Sequence, residues 1–179
     1  MKVDEITFGE KLNHVNLKCE PRDFVEKVVR ISKYLGISPH WLMVVMELET
    51  AGTFSPSITN ELGYTGLIQF GDLAASDLNT NTDKLRRMDA LQQLDYVQAY
   101  LQPYRGKMKR LLDVYLAVFF PVAVGKKSDF VLKTKRLKAS RVAKWNPGFD
   151  LNKDQQIEVS EIEQKLLHRV PDHHLQKVA

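Results

Sequence analysis

The stretch Pro39–Gln69 reads PHWLMVVMELETAGTFSPSITNELGYTGLIQ, and it decides how the chain folds. Its first part is almost entirely apolar, Pro39 presets the φ angle of a first helical turn, and Ser38 offers a capping oxygen. We therefore predict an apolar helix over Pro39–Glu49. The composition then turns to Ser, Pro, Thr, Asn and Gly, which predicts a loop or an irregular strand pair before the next helix.

Helical periodicity continues on both sides of this stretch. Apolar residues recur at helical spacing, Gly36 stands where a C-terminal glycine is expected, and Asp89 and Gln92 have capping-box spacing. The other predicted helices are Asp23–Leu35, Leu67–Leu78, Asp89–Leu101, Lys107–Phe119 and Val159–His168. The pattern predicts an all-α fold, mainly helical, with at most a small β-hairpin.

The composition is that of an ordinary globular chain. Of the 179 residues, 44% are hydrophobic and 27% are charged, which excludes a disordered, collagen-like or transmembrane protein. The single cysteine, Cys19, cannot form an intramolecular disulfide, and no Cys/His cluster has zinc-ligand spacing. Residues 1–20 interleave charges with isolated apolar residues, so we expect no secretory signal peptide.

The formal net charge of +4 is unevenly distributed. Basic residues predominate between Leu101 and Lys144, where the acids are Asp113 and Asp129. This asymmetry suggests an anionic partner, and an ordinary solvated face explains it equally well. The basic stretch Lys133–Lys144 keeps nucleic acid as an alternative partner, which we do not favour because no DNA-reading motif accompanies it.

Three motifs inside the opening stretch point to a family. Glu49-Thr50, Phe54-Ser55-Pro56 and Asn60–Gln69 together resemble the lytic transglycosylase (SLT) domain of the goose-type lysozyme-like superfamily. The family pattern is Glu-Ser, Phe-Asn-Pro and Ser-x-x-Gly-Ala-x-Gly-Leu-Met-Gln. This chain departs from it at Thr50, Ser55, Asn60, Tyr64 and Ile68, with Ala51 and Gly52 as an apparent insertion. The resemblance covers roughly residues 24–124.

The resemblance implies a two-lobed, lysozyme-like helical domain with a saccharide groove. It also implies cleavage of the β-1,4 bond between N-acetylmuramic acid and N-acetylglucosamine in peptidoglycan, with Glu49 as the catalytic acid. The residues implied to line the groove beside it are Gly63, Tyr64, Gly66 and Gln69. Glu47 lies two helical residues from Glu49, about 200° around the axis, so both cannot face one sugar, and the motif selects Glu49.

A single glutamate suffices for the chemistry that the family performs. Against apolar side chains the pKa of Glu49 would rise, which keeps a proton ready for the departing glycosidic oxygen. Hydrolytic glycosidases usually need a second carboxylate, and none stands out here. The family instead lets the 6-hydroxyl of the muramic acid attack and leaves a 1,6-anhydro ring. We therefore expect no cofactor in catalysis.

One family feature is missing from this chain. The family's Ala-Tyr-Asn-Ala-Gly is replaced by a segment with Phe119 at the tyrosine position, so that hydroxyl is absent. Tyr115 lies one turn earlier on the same helix face and is a candidate substitute, although aromatic residues at this spacing often belong to a core. Tyr96 is a weaker candidate for the groove, and Phe119 itself is expected to line it.

A loop near the end of the chain matches a calcium-binding pattern. Oxygen-bearing side chains at positions 1, 3, 5, 9 and 12 of an EF-hand-like loop and a backbone carbonyl at position 7 provide the ligands. The expected metal ligands are Asp150, Asn152, Asp154, Gln156 and Glu161, with Glu158 at position 9. Gln155 replaces the usual glycine at position 6 and makes the turn costlier. We expect a structural calcium ion here, with a solvated acidic turn as the alternative.

Two other clusters carry little weight. Cys19 and His14 would make a nucleophile pair only if a third group oriented them, and none is identifiable. The histidines His168, His173 and His174 are better explained as part of a polar tail than as metal ligands.

The predicted organisation is an N-terminal extension (1–22), a lysozyme-like transglycosylase domain (23–145), a calcium loop with a C-terminal helix packed on that domain (146–170), and a tail (171–179). We expect a phage-encoded lytic transglycosylase that serves entry or host lysis from the virion or the host cytoplasm. Its expected partner is peptidoglycan, with other virion proteins as further candidates and no membrane. The alternatives are a goose-type lysozyme and a catalytically weak wall-binding or virion structural protein.

Overall fold

The computed structural model of the chain describes residue 12 and residues 15–170. Within them the fold is all-α, as predicted, and backbone pairing outside helices is limited to isolated bridges. The helices are α1 (Pro21–Leu35), α2 (Pro39–Glu49), α3 (Asp72–Asp77), α4 (Thr82–Arg87), α5 (Ala90–Leu101), α6 (Leu111–Phe119), α7 (Ala139–Trp145) and α8 (Val159–Arg169). Short 3-10 helices lie at Gln102–Tyr104 and Pro121–Ala123.

Helices α2 and α6 form the centre of the fold. Every residue from Leu42 to Met46 in α2 has 0% exposure, and residues 111–117 of α6 are also buried. A helix without a polar face must be surrounded by other elements. Accordingly, α2 packs against α1 and α6, α1 also packs against α5, and α8 packs against α6.

Local signals set several helix ends. Gly36 ends α1 in the left-handed conformation, with φ of 73°, as its sequence position predicts. The capping box of α5 also forms, since Asp89 Oδ1 accepts the Gln92 amide at 2.7 Å and Gln92 Oε1 accepts the Asp89 amide at 3.1 Å. Ser38 occupies the N-cap of α2, but its side chain makes no capping hydrogen bond.

The predicted helix over Leu67–Leu78 is wrong in its first half. Thr65 and Phe70 exchange both backbone hydrogen bonds, at 3.0 and 2.8 Å, and residues 66–69 form the tight turn between them. This pairing uses backbone groups that a helix would need, so α3 begins only at Asp72. The sequence also fails to predict α4 and α7, which are 6 and 7 residues long.

The segments on either side of the predicted domain contribute to its core. Leu12 and Leu17 are buried, and the Leu17 carbonyl accepts the Ala90 amide at 2.9 Å. Near the other end, the Arg110 and Glu163 side chains form an ion pair at 2.6 Å. The buried residues of this C-terminal segment are Ile157, Val159, Ile162, Leu166 and Val170. The predicted tail, 171–179, lies outside the described residues.

None of the helices in the described part of the chain combines the length and the apolar character needed to cross a bilayer.

Candidate active site

Glu49 is the last residue of α2, and a threonine fixes the turn that follows it. The Thr50 hydroxyl donates to the Met46 carbonyl at 2.7 Å and accepts the Phe54 amide at 2.9 Å. Phe54 is fully buried, although its φ of 48° lies in the left-handed region. The bonds of Thr50 therefore hold this strained turn directly after Glu49.

The loop after this turn is held by its own polar side chains. Asn60 Oδ1 accepts the amides of Leu62 and Tyr64, at 2.9 and 3.1 Å, and the Thr59 and Thr65 hydroxyls share a hydrogen bond of 2.9 Å. Gln69 has a φ of 52°, and its side-chain amide donates to the Gly66 carbonyl at 3.1 Å. These hydrogen bonds fix the conformation of the loop, which lines a cavity beside Glu49.

Gln93 joins this loop to the helices, and sequence reasoning missed it. Its Oε1 accepts the Leu67 amide at 2.9 Å, and its Nε2 donates to the carbonyls of Pro56 and Leu85, at 2.6 and 2.8 Å. The side chain has 0% exposure. A Cβ added to Gly66, whose φ is 78°, would overlap the Gln93 amide, so glycine is required there for both space and backbone conformation.

Two adjoining cavities form one groove that runs past Glu49. The first, of about 640 Å³, contains Glu49, and the second, of about 550 Å³, extends from it toward α3 and α5. The residues that line both are Leu62, Tyr64, Ile68, Gln69, Val118 and Phe119. Leu62 and Leu73, on the loop side, are 82% and 84% exposed, so apolar side chains form part of the rim.

Of the predicted groove residues, the structure brings Gly63, Tyr64, Gln69 and Phe119 to this groove. Gly66 is buried behind the loop against Gln93 and lines neither cavity. Glu47 is also buried and outside the lining of both cavities, whereas Glu49 opens into the first.

The environment of Glu49 favours its neutral form. Burial raises the pKa of Glu49 from its ordinary value of 4.5 to about 7, and the positive charge of Arg169 partly opposes this rise. Near neutral pH the carboxyl group is therefore divided between its protonated and ionised forms. Among the described residues that line the groove, the only other acid is Asp72, in the second cavity.

Two tyrosines lie close enough to Glu49 for its charge to act on their pKa. Tyr115 is buried and stacks on Phe119 at 5.8 Å between ring centroids, but it lines neither cavity, so the structure does not place it in the groove as predicted. Burial raises the pKa of Tyr115, and the Glu49 charge adds to this rise. Tyr100, which the sequence did not single out, lines the second cavity and donates its hydroxyl to the Ala117 carbonyl at 3.2 Å.

Burial also raises the pKa of Tyr100, to about 12, with Tyr104 and Glu49 contributing through their charges. Both tyrosines near Glu49 are therefore neutral donors at physiological pH. Tyr96 lies one turn before Tyr100 on α5 and lines neither cavity. The structure therefore does not place Tyr96 in the groove as predicted.

The calcium-like loop forms a turn that is held by its own acidic side chains. Asp150 accepts the amides of Asp154 and Gln155 through its two carboxylate oxygens, each at 3.1 Å. Gln155 has a φ of 66°, the conformation for which position 6 usually carries glycine. Glu158 and Glu161 form the capping box that starts α8, and Ile157 accepts the Leu132 amide at 2.8 Å.

The carboxylates of this loop bind its own backbone amides and do not converge on one point as metal ligands would. Glu161 accepts the amides of Leu151 and Glu158, each at 2.8 Å, so both of its oxygens are engaged. In the part of the chain that the structure describes, no three His, Cys, Asp or Glu side chains form a group that could hold a metal. The remaining expected donors, Asn152 and the carbonyl of Gln156, are of other types.

The structure adds no support for the Cys19–His14 pair or for a metal site at the C-terminal histidines. Burial raises the pKa of the Cys19 thiol, which favours the protonated and unreactive form. Its sequence neighbour His14 lies outside the described residues, as do His173 and His174. His168 is exposed near the end of α8.

Comparison with protein-family models, with curated proteins and with solved structures finds no match for this chain.

Proposed function

We propose that this protein is a peptidoglycan lytic transglycosylase. It cleaves the β-1,4 bond between N-acetylmuramic acid and N-acetylglucosamine and leaves a 1,6-anhydro end. The observation that carries the proposal is a largely buried glutamate, Glu49, which opens into a groove and has its pKa raised to about 7. A group of this pKa can donate and then accept a proton at the same pH.

Glu49 performs both proton transfers in the proposed reaction. Its protonated carboxyl gives a proton to the glycosidic oxygen as the bond to the muramic acid C1 breaks, and the N-acetylglucosamine leaves as an alcohol. The ionised Glu49 then takes the proton of the muramic acid 6-hydroxyl while that oxygen bonds to C1. The carboxyl returns to its starting state, and no water is consumed.

The neighbours of Glu49 support this double role. Arg169 provides a positive charge that stabilises the carboxylate formed midway, although burial dominates and keeps the resting pKa high. Burial and the charge of Glu49 raise the pKa of Tyr115 and Tyr100, so both keep their protons at neutral pH. Of these two tyrosines, Tyr100 lines the groove.

The nature of the product separates the proposal from its rivals. We expect a digest of purified peptidoglycan, analysed by mass spectrometry, to contain muropeptides with 1,6-anhydro ends. Reducing ends instead would indicate a goose-type lysozyme that uses water. No release, together with retention of the protein on sedimented wall, would favour a binding or virion structural protein. We place the cleavage in phage entry or host lysis, with peptidoglycan as the partner.

We further propose that the loop from Asp150 to Glu161 binds a structural calcium ion. Support comes from an oxygen-rich donor set, in which Asp150, Asn152, Asp154 and Glu161 are joined by the carbonyl of Gln156, and from the turn that places Gln155 in a left-handed conformation. Calcium would pin the start of α8 to the domain, and binding would draw Glu161 from its amide partners toward the ion.

Calcium should raise the melting temperature of the protein, and Asp150→Ala should remove that rise. We expect an increase of about 5 °C or more at saturating calcium, because an ion that binds only the folded state stabilises it. Differential scanning calorimetry in calcium and in chelator measures this. Asp77→Ala, which removes an exposed acid at the end of α3, should retain the full increase. A wild-type melting temperature that ignores calcium would refute the ion site.

A further inference from the structure

A third cavity lies on the other side of α7 from the groove. It has a volume of about 750 Å³. We call it the α7 cavity, and its lining residues are Ser140, Arg141, Ala143, Lys144, Trp145, Pro147, Asp150 and Gln155. Trp145 lines both this cavity and the part of the groove that contains Glu49. The α7 cavity and the groove therefore share the Trp145 side chain.

The side chain of Trp145 is exposed to solvent. The side chain is 63% exposed, which is unusual for the largest apolar residue in a chain whose other tryptophan is half-buried. The Arg141 guanidinium lies 5.7 Å from the centre of the indole ring. An exposed indole with a cation beside it suits a ligand that has both an apolar face and a negative charge.

The cationic side chains of the α7 cavity have no close ion-pair partner among the described residues. Among the described residues, no carboxylate lies within 4.0 Å of the charged groups of Arg141 or Lys144. The one acid in the lining, Asp150, uses both oxygens for the amides of Asp154 and Gln155. Arg141, beside the ring, and Lys144, in the cavity lining, are therefore unpaired and can make charge-assisted hydrogen bonds to an incoming carboxylate.

We infer that the α7 cavity is a second subsite of the groove, specific for the acidic peptide stem of a wall glycan. One sugar ring of the strand packs against the Trp145 indole, and Arg141 and Lys144 bind carboxylates of the stem carried by that sugar. The inference rests on the proposed function for the identity of the strand. It assigns a role to the part of the basic stretch that lies on α7.

Calorimetric binding in a Glu49→Gln background, which prevents turnover, tests the subsite. The probes are a peptidoglycan tetrasaccharide with its peptide stems and the same molecule with the stem carboxylates converted to amides. Trp145→Ala should weaken the binding of both probes about tenfold. The double variant Arg141→Gln/Lys144→Gln should weaken only the acidic probe, also about tenfold, since charged hydrogen bonds are lost. Lys126→Gln/Lys127→Gln, with the same charge change elsewhere on the surface, should bind like the parent.

The outcomes separate the subsite from the proposed reaction. Equal binding by all variants would overturn the subsite, and so would an equal loss of binding in Arg141→Gln/Lys144→Gln and in Lys126→Gln/Lys127→Gln. Either result would do so even if the wild-type enzyme releases anhydro products. The expected pattern in a protein that releases no products would support the subsite and refute the reaction. A short DNA duplex that binds more tightly than the acidic probe would overturn the assignment to a wall glycan.

Discussion

Replacing Glu49 with glutamine should reduce muropeptide release by about a thousandfold or more while leaving the fold intact. Glutamine keeps the shape of the side chain but cannot donate or receive the proton that the reaction moves twice. Rates of release from purified peptidoglycan measure the loss, and near-ultraviolet circular dichroism checks the fold. Glu61→Gln is the matched control, because Glu61 is exposed in the same loop region and lines neither cavity of the groove.

The same substitution should change how stability depends on pH. Because the pKa of Glu49 is 4.5 when exposed and about 7 in the fold, the folded state binds this proton more tightly. Its contribution to stability is therefore complete below about pH 4.5 and is lost as the pH rises through 7. The loss amounts to about 3 kcal/mol. Glu49→Gln should not show it in urea unfolding at pH 4.5 and pH 8.

The predicted loss of muropeptide release and the predicted change in the pH dependence of stability can each fail without the other. An active Glu49→Gln enzyme would move the catalytic role to another residue, whereas an inactive variant with the wild-type pH dependence of unfolding would mean that Glu49 ionises freely in the fold. In the second case burial would no longer explain how one carboxyl serves as both acid and base.

Gln93→Leu should lower the free energy of unfolding by about 4 kcal/mol. Leucine fills a similar volume but leaves the Leu67 amide and the carbonyls of Pro56 and Leu85 without their partner in a buried place. For a chain of this size, the loss corresponds to a fall in melting temperature of about 10 °C. Thermal unfolding followed by circular dichroism measures it, and we expect cleavage to weaken as the loop beside Glu49 loosens.

Gln98→Leu provides the comparison on the same helix. Gln98 is half-buried on α5, and its side chain makes no hydrogen bond to the described residues. The substitution should change the melting temperature by no more than a few degrees. If Gln93→Leu were equally mild, the three hydrogen bonds would not be what holds the loop.

The parts of this fold that local chemistry determines were predictable. Pro39 and the polar loop after Glu49 bracket α2 at its observed bounds, and Gly36 ends α1 where expected. The helix predicted from Leu67 failed because the apolar residues there imitate helical spacing, while the pairing of Thr65 with Phe70 depends on geometry that spacing does not encode.

Some residues of the candidate site could likewise be predicted from the sequence, and others could not. The Glu49 motif is contiguous and could be found, whereas Gln93 looks like a surface residue of an amphipathic helix until the loop folds over it. Arg169 and Trp145 come from helices far along the chain from Glu49, and nothing in their local sequence links them to it. Tertiary packing alone brings the Arg169 charge close to Glu49 and Trp145 into the lining of the groove.

The pairing of the chain around Leu132 with the start of α8 has a consequence for the continuity of the chain. Ile157 and Val159 bond to Leu132 and Phe130, and α8 then buries its apolar face in the common core. A protease cut in the exposed stretch from Lys153 to Gln156 would therefore leave two pieces that stay together without a peptide bond. The groove would keep its structure after this cut, although a denaturing gel would show two separate fragments.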